Sequence, residues 1–152
     1  MALSGWHRIP LKINNYNEMK KVLVEIYYSG NNYCAHAPEL LGCVSTGSTL
    51  HEIKQNIREA IEFHVESSLT DGDSIPEIFC GKYEIEFKLS IEALLNAYSD
   101  IFTKAALARI TGINQRQLWH YAAGMRKPRP LQRKRIEDGL HQLGAELLSI
   151  GV

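Results

Sequence analysis

The run from Thr103 to Pro128, TKAALARITGINQRQLWHYAAGMRKP, constrains this chain more than any other stretch. It reads as two short helices joined by a tight turn. The hydroxyl of Thr103 can accept an orphan backbone N–H and so cap the first helix. Lys104 to Ile110 then form that helix, with Leu107 and Ala108 facing inward. Gly112 stands where the chain must turn sharply, which a residue without Cβ does at little cost. Ile113 plugs the gap between the helices. Asn114 is a good second N-cap, which makes Gln115 the first residue of the second helix. Leu118 falls on its inner side, and Tyr121 and Ala122 stay close to that side. Gln115, Arg116 and His120 are left facing outward. Gly124 closes the helix, and Met125-Arg126-Lys127-Pro128 follows as a basic loop with a stop signal.

This pattern fits a helix-turn-helix with Gln115 to Gly124 as the recognition helix. Gln and Arg are the side chains that reach two base-edge groups at once, on adenine and on guanine respectively. The competing reading is an ordinary two-helix corner with a soluble outer face. Small Ala108, turn Gly112, Ile113, the outward Gln-Arg pair, Gly124 and the basic loop together favour contact with double-stranded DNA.

The charge distribution points the same way. The chain has 152 residues, enough for one domain or two small ones, and a formal net charge of zero from 17 basic and 17 acidic residues. That neutrality hides a split. Residues 1–100 hold 8 Lys/Arg against 14 Asp/Glu, and residues 101–152 hold 9 against 3. An acidic front is therefore followed by a basic back, and a basic face is what phosphate contacts require.

The front is a strand-rich stretch. Lys21 to Ser29 (KVLVEIYYS) is β-branched and aromatic and reads as a strand. Gly30-Asn31-Asn32 is a turn into a second strand from Tyr33 to Ala37. Pro38 to Gly42 form a loop, Cys43 to Thr46 a third strand, and Ser48 or Thr49 caps a helix. Leu50, Ile53, Ile57, Ile61 and Val65 make one apolar stripe on that helix. Its other face carries Glu52, Lys54, Arg58, Glu62 and Glu66, with Arg58–Glu62 an i,i+4 pair, and its end is expected near Ser68. Thr70 to Pro76 is a polar loop. Tyr83 to Leu89 (YEIEFKL) alternates apolar and charged residues, a strand with one face in water.

The back is helical. Ser90 caps a helix from Ile91 to about Tyr98, ahead of the two-helix run. After Pro130 comes a long helix from Leu131 to about Ile150, with Leu131, Ile136, Leu140, Leu143, Leu147 and Ile150 on its apolar side and Gly139 and Gly144 as weak points. The fold class is therefore α+β, a β-β-β-α-β front over residues 19–89 and an all-α back over 90–152, with almost no linker at Leu89-Ser90.

Cys34, Cys43 and Cys80 are odd in number and match no zinc spacing, which fits a reducing cytoplasm and no metal or cofactor site. No apolar run approaches the ~20 residues needed to cross a membrane. Residues 1–18 show no clear period, read as a flexible arm or a false start ahead of Met19, and lack the pattern of a signal peptide.

The run Ala37-Pro38-Glu39-Leu40-Leu41-Gly42-Cys43-Val44-Ser45-Thr46-Gly47-Ser48-Thr49-Leu50, followed by the amphipathic helix, resembles the HicB antitoxin family, with its motif slightly offset around Ser45 and Thr46. The back resembles the Xre/Cro-type helix-turn-helix often attached to such proteins. The resemblance implies a partial RNase H-like front domain that binds a small HicA-type toxin, an mRNA interferase. It implies a back domain that binds the operator of its own operon as a homodimer or higher homo-oligomer. By position it assigns base reading to Gln115, Arg116 and His120 and phosphate contacts to Lys104, Arg126 and Lys127. Gln117, beside them, completes the candidate DNA-binding set. Trp119 departs from the small or polar residue common at its position.

An RNase H-like fold raises the question of catalysis. Nuclease chemistry there needs clustered carboxylates holding two Mg²⁺ ions. Glu25 lies in the first strand and Glu39 in a loop, but that strand has no Asp, and none of the six His pairs with a nucleophile at motif spacing. The expectation is a non-enzymatic antitoxin and autorepressor. The alternatives are a stand-alone regulator whose front domain senses a ligand or dimerises, and a metal-dependent nuclease.

Overall fold

The computed structural model describes residues 19–152, so the expectation for residues 1–18 lies outside the described residues. Four strands form one mixed sheet in the order β3-β2-β1-β4: β1 is Lys20–Ser29, β2 Asn32–His36, β3 Val44–Gly47 and β4 Tyr83–Leu89. β1 pairs antiparallel with β2 and parallel with β4, so the helix between β3 and β4, α1 (Leu50–Asp71), carries the chain across the sheet. A 3-10 turn at Glu77–Phe79 precedes β4. Then follow α2 (Ile91–Ala97), α3 (Lys104–Thr111), α4 (Gln115–Ala122) and α5 (Pro130–Ser149). The strand-rich front with its single helix and the helical back agree with the α+β reading.

α1 forms where its stripe predicts. Ile53, Ile57 and Ile61 are fully buried against Val22, Val24 and Ile26 of β1, and each contributes about 1.5–3 kcal/mol of burial. Thr49 is the N-cap: its Oγ1 accepts the Glu52 N–H at 3.1 Å. Glu52 reaches back to the backbone N–H and hydroxyl of Ser48, a variant of the capping box. The helix runs past Ser68 to Asp71, because Gly72 (φ +78°) supplies the left-handed cap. Gly47 lets α1 close on β3: a Cβ there would lie 2.7 Å from the Ile53 nitrogen. Asn56 Nδ2 adds a hydrogen bond to Thr46 O at 2.9 Å.

Two expectations about side chains are corrected. Arg58 does not pair with Glu62 among the described ion pairs; its guanidinium lies over the Phe87 ring, 5.0 Å from the centroid, beside Lys54 at 5.1 Å. The ring holds the cations along the sheet edge instead of along the helix. The apolar side of α5 is buried only where the bundle reaches it. Ile136 and Gly139 are buried, while Leu131, Leu147 and the C-cap residue Ile150 are exposed, Leu147 at a cleft that α5 shares with Leu23 and Glu86 of the sheet.

Gly139 is not a weak point. A Cβ there would meet Ile110 O at 2.8 Å, so the absent side chain is what lets α5 lie against α3. The second core, Leu95, Leu107, Ile113, Leu118, Tyr121 and Ile136, sits among these helices.

Candidate functional site

Two surfaces carry the functional reading. The first is built by α3, the turn Gly112–Asn114, and α4. Thr103 Oγ1 accepts the Ala106 N–H at 3.1 Å, and Gly112 turns the chain at φ +68°. The hydroxyl of Thr111 donates to Leu107 O at 2.7 Å and accepts the Ile113 N–H at 3.2 Å, which fixes the turn that drives Ile113 into the core. Asn114 Oδ1 accepts the Arg116 N–H at 2.8 Å. Leu118 is fully buried and Tyr121 nearly so, and this sets the rotation of α4.

That rotation leaves Gln115 and Arg116 exposed and His120 half-buried at the rim. Gln117 is half-buried, and its amide donates to the Tyr121 hydroxyl at 2.7 Å. Lys104 is half-buried at the start of α3. Trp119 is 54% exposed, with the His120 ring edge-on at 5.6 Å between centroids. Past Ala122 the helix ends in a Schellman arrangement: the Met125 N–H donates to His120 O at 3.0 Å and the Gly124 N–H to Tyr121 O at 3.2 Å, with Gly124 at φ +70°. The loop so formed presents Arg126 and Lys127 to solvent, unpaired among the described ion pairs. The structure thus brings Gln115, Arg116 and His120 onto one helix and sets the basic loop at its far end.

The second surface is the front sheet and helix. α1 covers one face of the sheet; the other is more open, with α5 standing across a cleft from Leu23 and Glu86. The register aligns His36, Glu25 and Lys88 in one row across β2, β1 and β4 on that open face. Glu25 is engaged on three sides: His36 Nε2 at 3.6 Å, Lys88 Nζ at 3.7 Å, and the Tyr27 hydroxyl donating at 2.8 Å. The hydrogen bond to Glu25 and partial burial raise the Tyr27 phenol above its ordinary value. Glu39 stands in the loop after β2, apart from this row. No group of three or more His, Cys, Asp or Glu among the described residues is arranged to hold a metal.

The outer face of α1 carries Glu59, Glu62 and Glu66 around Phe63, which is 74% exposed. In the sequence this residue differs from its neighbours only by being an aromatic off the apolar stripe. A cleft of about 470 Å³ lies where the open face meets the basic loop, between Tyr28, Lys88, Tyr121 and Arg126. No helix among the described residues is long and apolar enough to cross a membrane.

Comparison with known proteins places the front of the chain. It is 41% identical over 68 residues to the UPF0150 protein ssr1765 of Synechocystis, covering 45% of this chain and 80% of that protein. It is 40% identical over 47 residues to the uncharacterized 14.9 kDa protein of the rep-hol intergenic region of Haemophilus phage HP1, covering 31% of this chain and 35% of the phage protein. No solved structure matches. Residues 21–99, from β1 through α2 and just over half of the chain, match the family described as "HicB_like antitoxin of bacterial toxin-antitoxin system", and the chain belongs to that family of antitoxins.

Proposed function

We propose that this chain binds and neutralises a cognate HicA-type mRNA interferase toxin and represses its own operon by binding double-stranded operator DNA. One observation carries the reading: the family-matched sheet and helix are followed directly by α3 and α4, hinged at Gly112, with Gln115 and Arg116 exposed next to a basic loop. In this reading α3 and α4 are an Xre/Cro-type helix-turn-helix. Gln115, Arg116 and His120 read base edges, while Lys104, Arg126 and Lys127 hold phosphates. Gln117, whose amide donates to the Tyr121 hydroxyl, completes the DNA-binding set beside them. The mixed sheet crossed by α1 supports a partial RNase H-like front domain.

The protein acts without catalysis and in the cytoplasm. Glu25, the carboxylate on the first strand, is already engaged by His36, Lys88 and Tyr27. The operator is bound by a homodimer or higher homo-oligomer. Exposed Leu147, Leu148 and Ile150 at the end of α5 give a second copy an apolar surface to cover.

The test joins both halves. Co-production with the product of the neighbouring gene should yield a stoichiometric complex with a small protein and suppress that protein's toxicity. Arg116→Ala should cost roughly 1–3 kcal/mol on the operator and relax base choice at one position. Unchanged affinity and unchanged preference would displace α4 from the recognition role.

The cleft between the sheet and the basic loop favours a second reading, a stand-alone regulator that senses a small ligand, since its size suits a pocket of that kind. Operator binding intact with no protein partner would select it.

A further inference from the structure

We infer that the outer face of α1, centred on Phe63, is the docking surface for the toxin, and that the toxin meets it with an apolar pocket rimmed by Lys or Arg. The inference rests on the antitoxin reading above.

Large apolar side chains this open are commonly scattered singly and need no partner. Phe63 differs in its setting. At about 100° per residue, Glu62, Glu66, Glu59 and Phe63 fall within an arc of about 100° on one side of the helix. All four are exposed, and Phe63 is 74% exposed. None of the three carboxylates forms an ion pair among the described residues; Glu59 accepts only a neutral amide, from Gln55 at 3.1 Å. The helix's own cations are directed elsewhere, because Lys54 and Arg58 sit over Phe87. The face therefore sets three carboxylates without described ion-pair partners around one aromatic ring.

That chemistry selects the occupant. An acidic face repels a nucleic acid and attracts a basic protein, and complementary charge speeds association and fixes orientation. An aromatic ring ringed by polar groups is the usual form of an energetic anchor at a protein interface. Ile53, Ile57 and Ile61, fully buried beneath the helix, hold the ring on a rigid support, which lowers the ordering cost of binding.

The experiment uses the full chain and, as the small protein, the product of the neighbouring gene. Phe63→Ala should weaken the complex about 30-fold or more. Joint replacement Glu59→Gln, Glu62→Gln and Glu66→Gln should slow association and weaken its dependence on salt. Operator binding and melting temperature should stay at wild-type values for Phe63→Ala, since the ring packs on nothing in the core. A wild-type complex that Phe63→Ala leaves equally tight would overturn this surface and leave the antitoxin reading standing. A wild-type chain that does not bind the small protein at all would overturn both.

Discussion

Gly139→Ala separates two opposed effects in one methyl group. In an exposed helix interior, replacing Gly by Ala stabilises by about 1 kcal/mol, because the unfolded chain loses freedom and the helix gains a better former. At Gly139 the added Cβ would lie 2.8 Å from Ile110 O, 3.0 Å from its Cγ2 and 3.2 Å from its carbonyl carbon. The nearest atom is backbone, so no rotamer change relieves the contact; α3 and α5 must move apart. Overpacking of this kind costs about 1–3 kcal/mol, which outweighs the propensity gain. The net expectation is about 1 kcal/mol of destabilisation, and for a chain of this size a fall in Tm of about 2–4 °C. Urea unfolding followed by circular dichroism measures it, with the midpoint falling at an unchanged slope. The sign decides the matter. A rise in stability would mean that α5 does not lie on Ile110 as described, and Gly139 would then be the weak point that its sequence position suggests.

Two further outcomes follow from the charged groups. Lys127→Ala should weaken binding to every DNA sequence alike and reduce the salt slope by about one; a loss confined to the operator would contradict a phosphate contact. At the start of α1, hydrogen bonds from the Ser48 hydroxyl and N–H hold the Glu52 carboxyl below its ordinary value. A depressed folded value stabilises above the unfolded value and is lost as pH falls through the folded one. The melting-temperature gap between wild type and Glu52→Gln should therefore be full at neutral pH and close as pH falls below the ordinary Glu value of about 4.3. A gap that does not change with pH would show that the ionised carboxylate is not what holds the cap.

Elements governed by local chemistry are legible in the sequence. The stripe at Leu50, Ile53, Ile57 and Ile61 fixes α1, and Thr49, Ser90, Thr103 and Asn114 each cap the helix that follows them. Features that depend on what lies across the fold are not legible. Nothing in YEIEFKL states that β4 runs parallel to β1, since parallel pairing is decided by the crossing of α1. Gly139 looks the same as Gly144 in a helical pattern, yet one abuts Ile110 and the other faces open space. Arg58 has Glu62 at the right spacing but turns to Phe87, a ring contributed by a strand nearly thirty residues later. The proposed site divides in the same way. The outward Gln115 and Arg116 follow from α4's own periodicity. That Gln117 is held by Tyr121, and that Phe63 stands among unpaired acids, needs the packing.

α2 connects the two functional surfaces through hydrogen bonds at its ends. A helix of seven residues has little stability of its own, so it is ordered by what it packs on. Ala93 is buried with the sheet and α1, and Leu95, two residues on, is buried with α3, α4 and α5. The Ser90 N–H donates to Ile26 O at 2.8 Å, which ties the start of α2 to the end of β1. Asn96 Nδ2 donates to Ala122 O at 2.8 Å, which ties the end of α2 to the end of α4. Between those two bonds the chain is helical from Ile91. The Glu92 carboxylate also lies where a Cβ on Gly124 would be, 2.7 Å away, so the loop bearing Arg126 and Lys127 is set against the same helix. The family match ends at residue 99 and so includes all of α2. Separating front from back at Leu89-Ser90 would strip α2 of half its packing. The proposed antitoxin and repressor surfaces are in this way joined through the packing and hydrogen bonds of Ser90 to Tyr98.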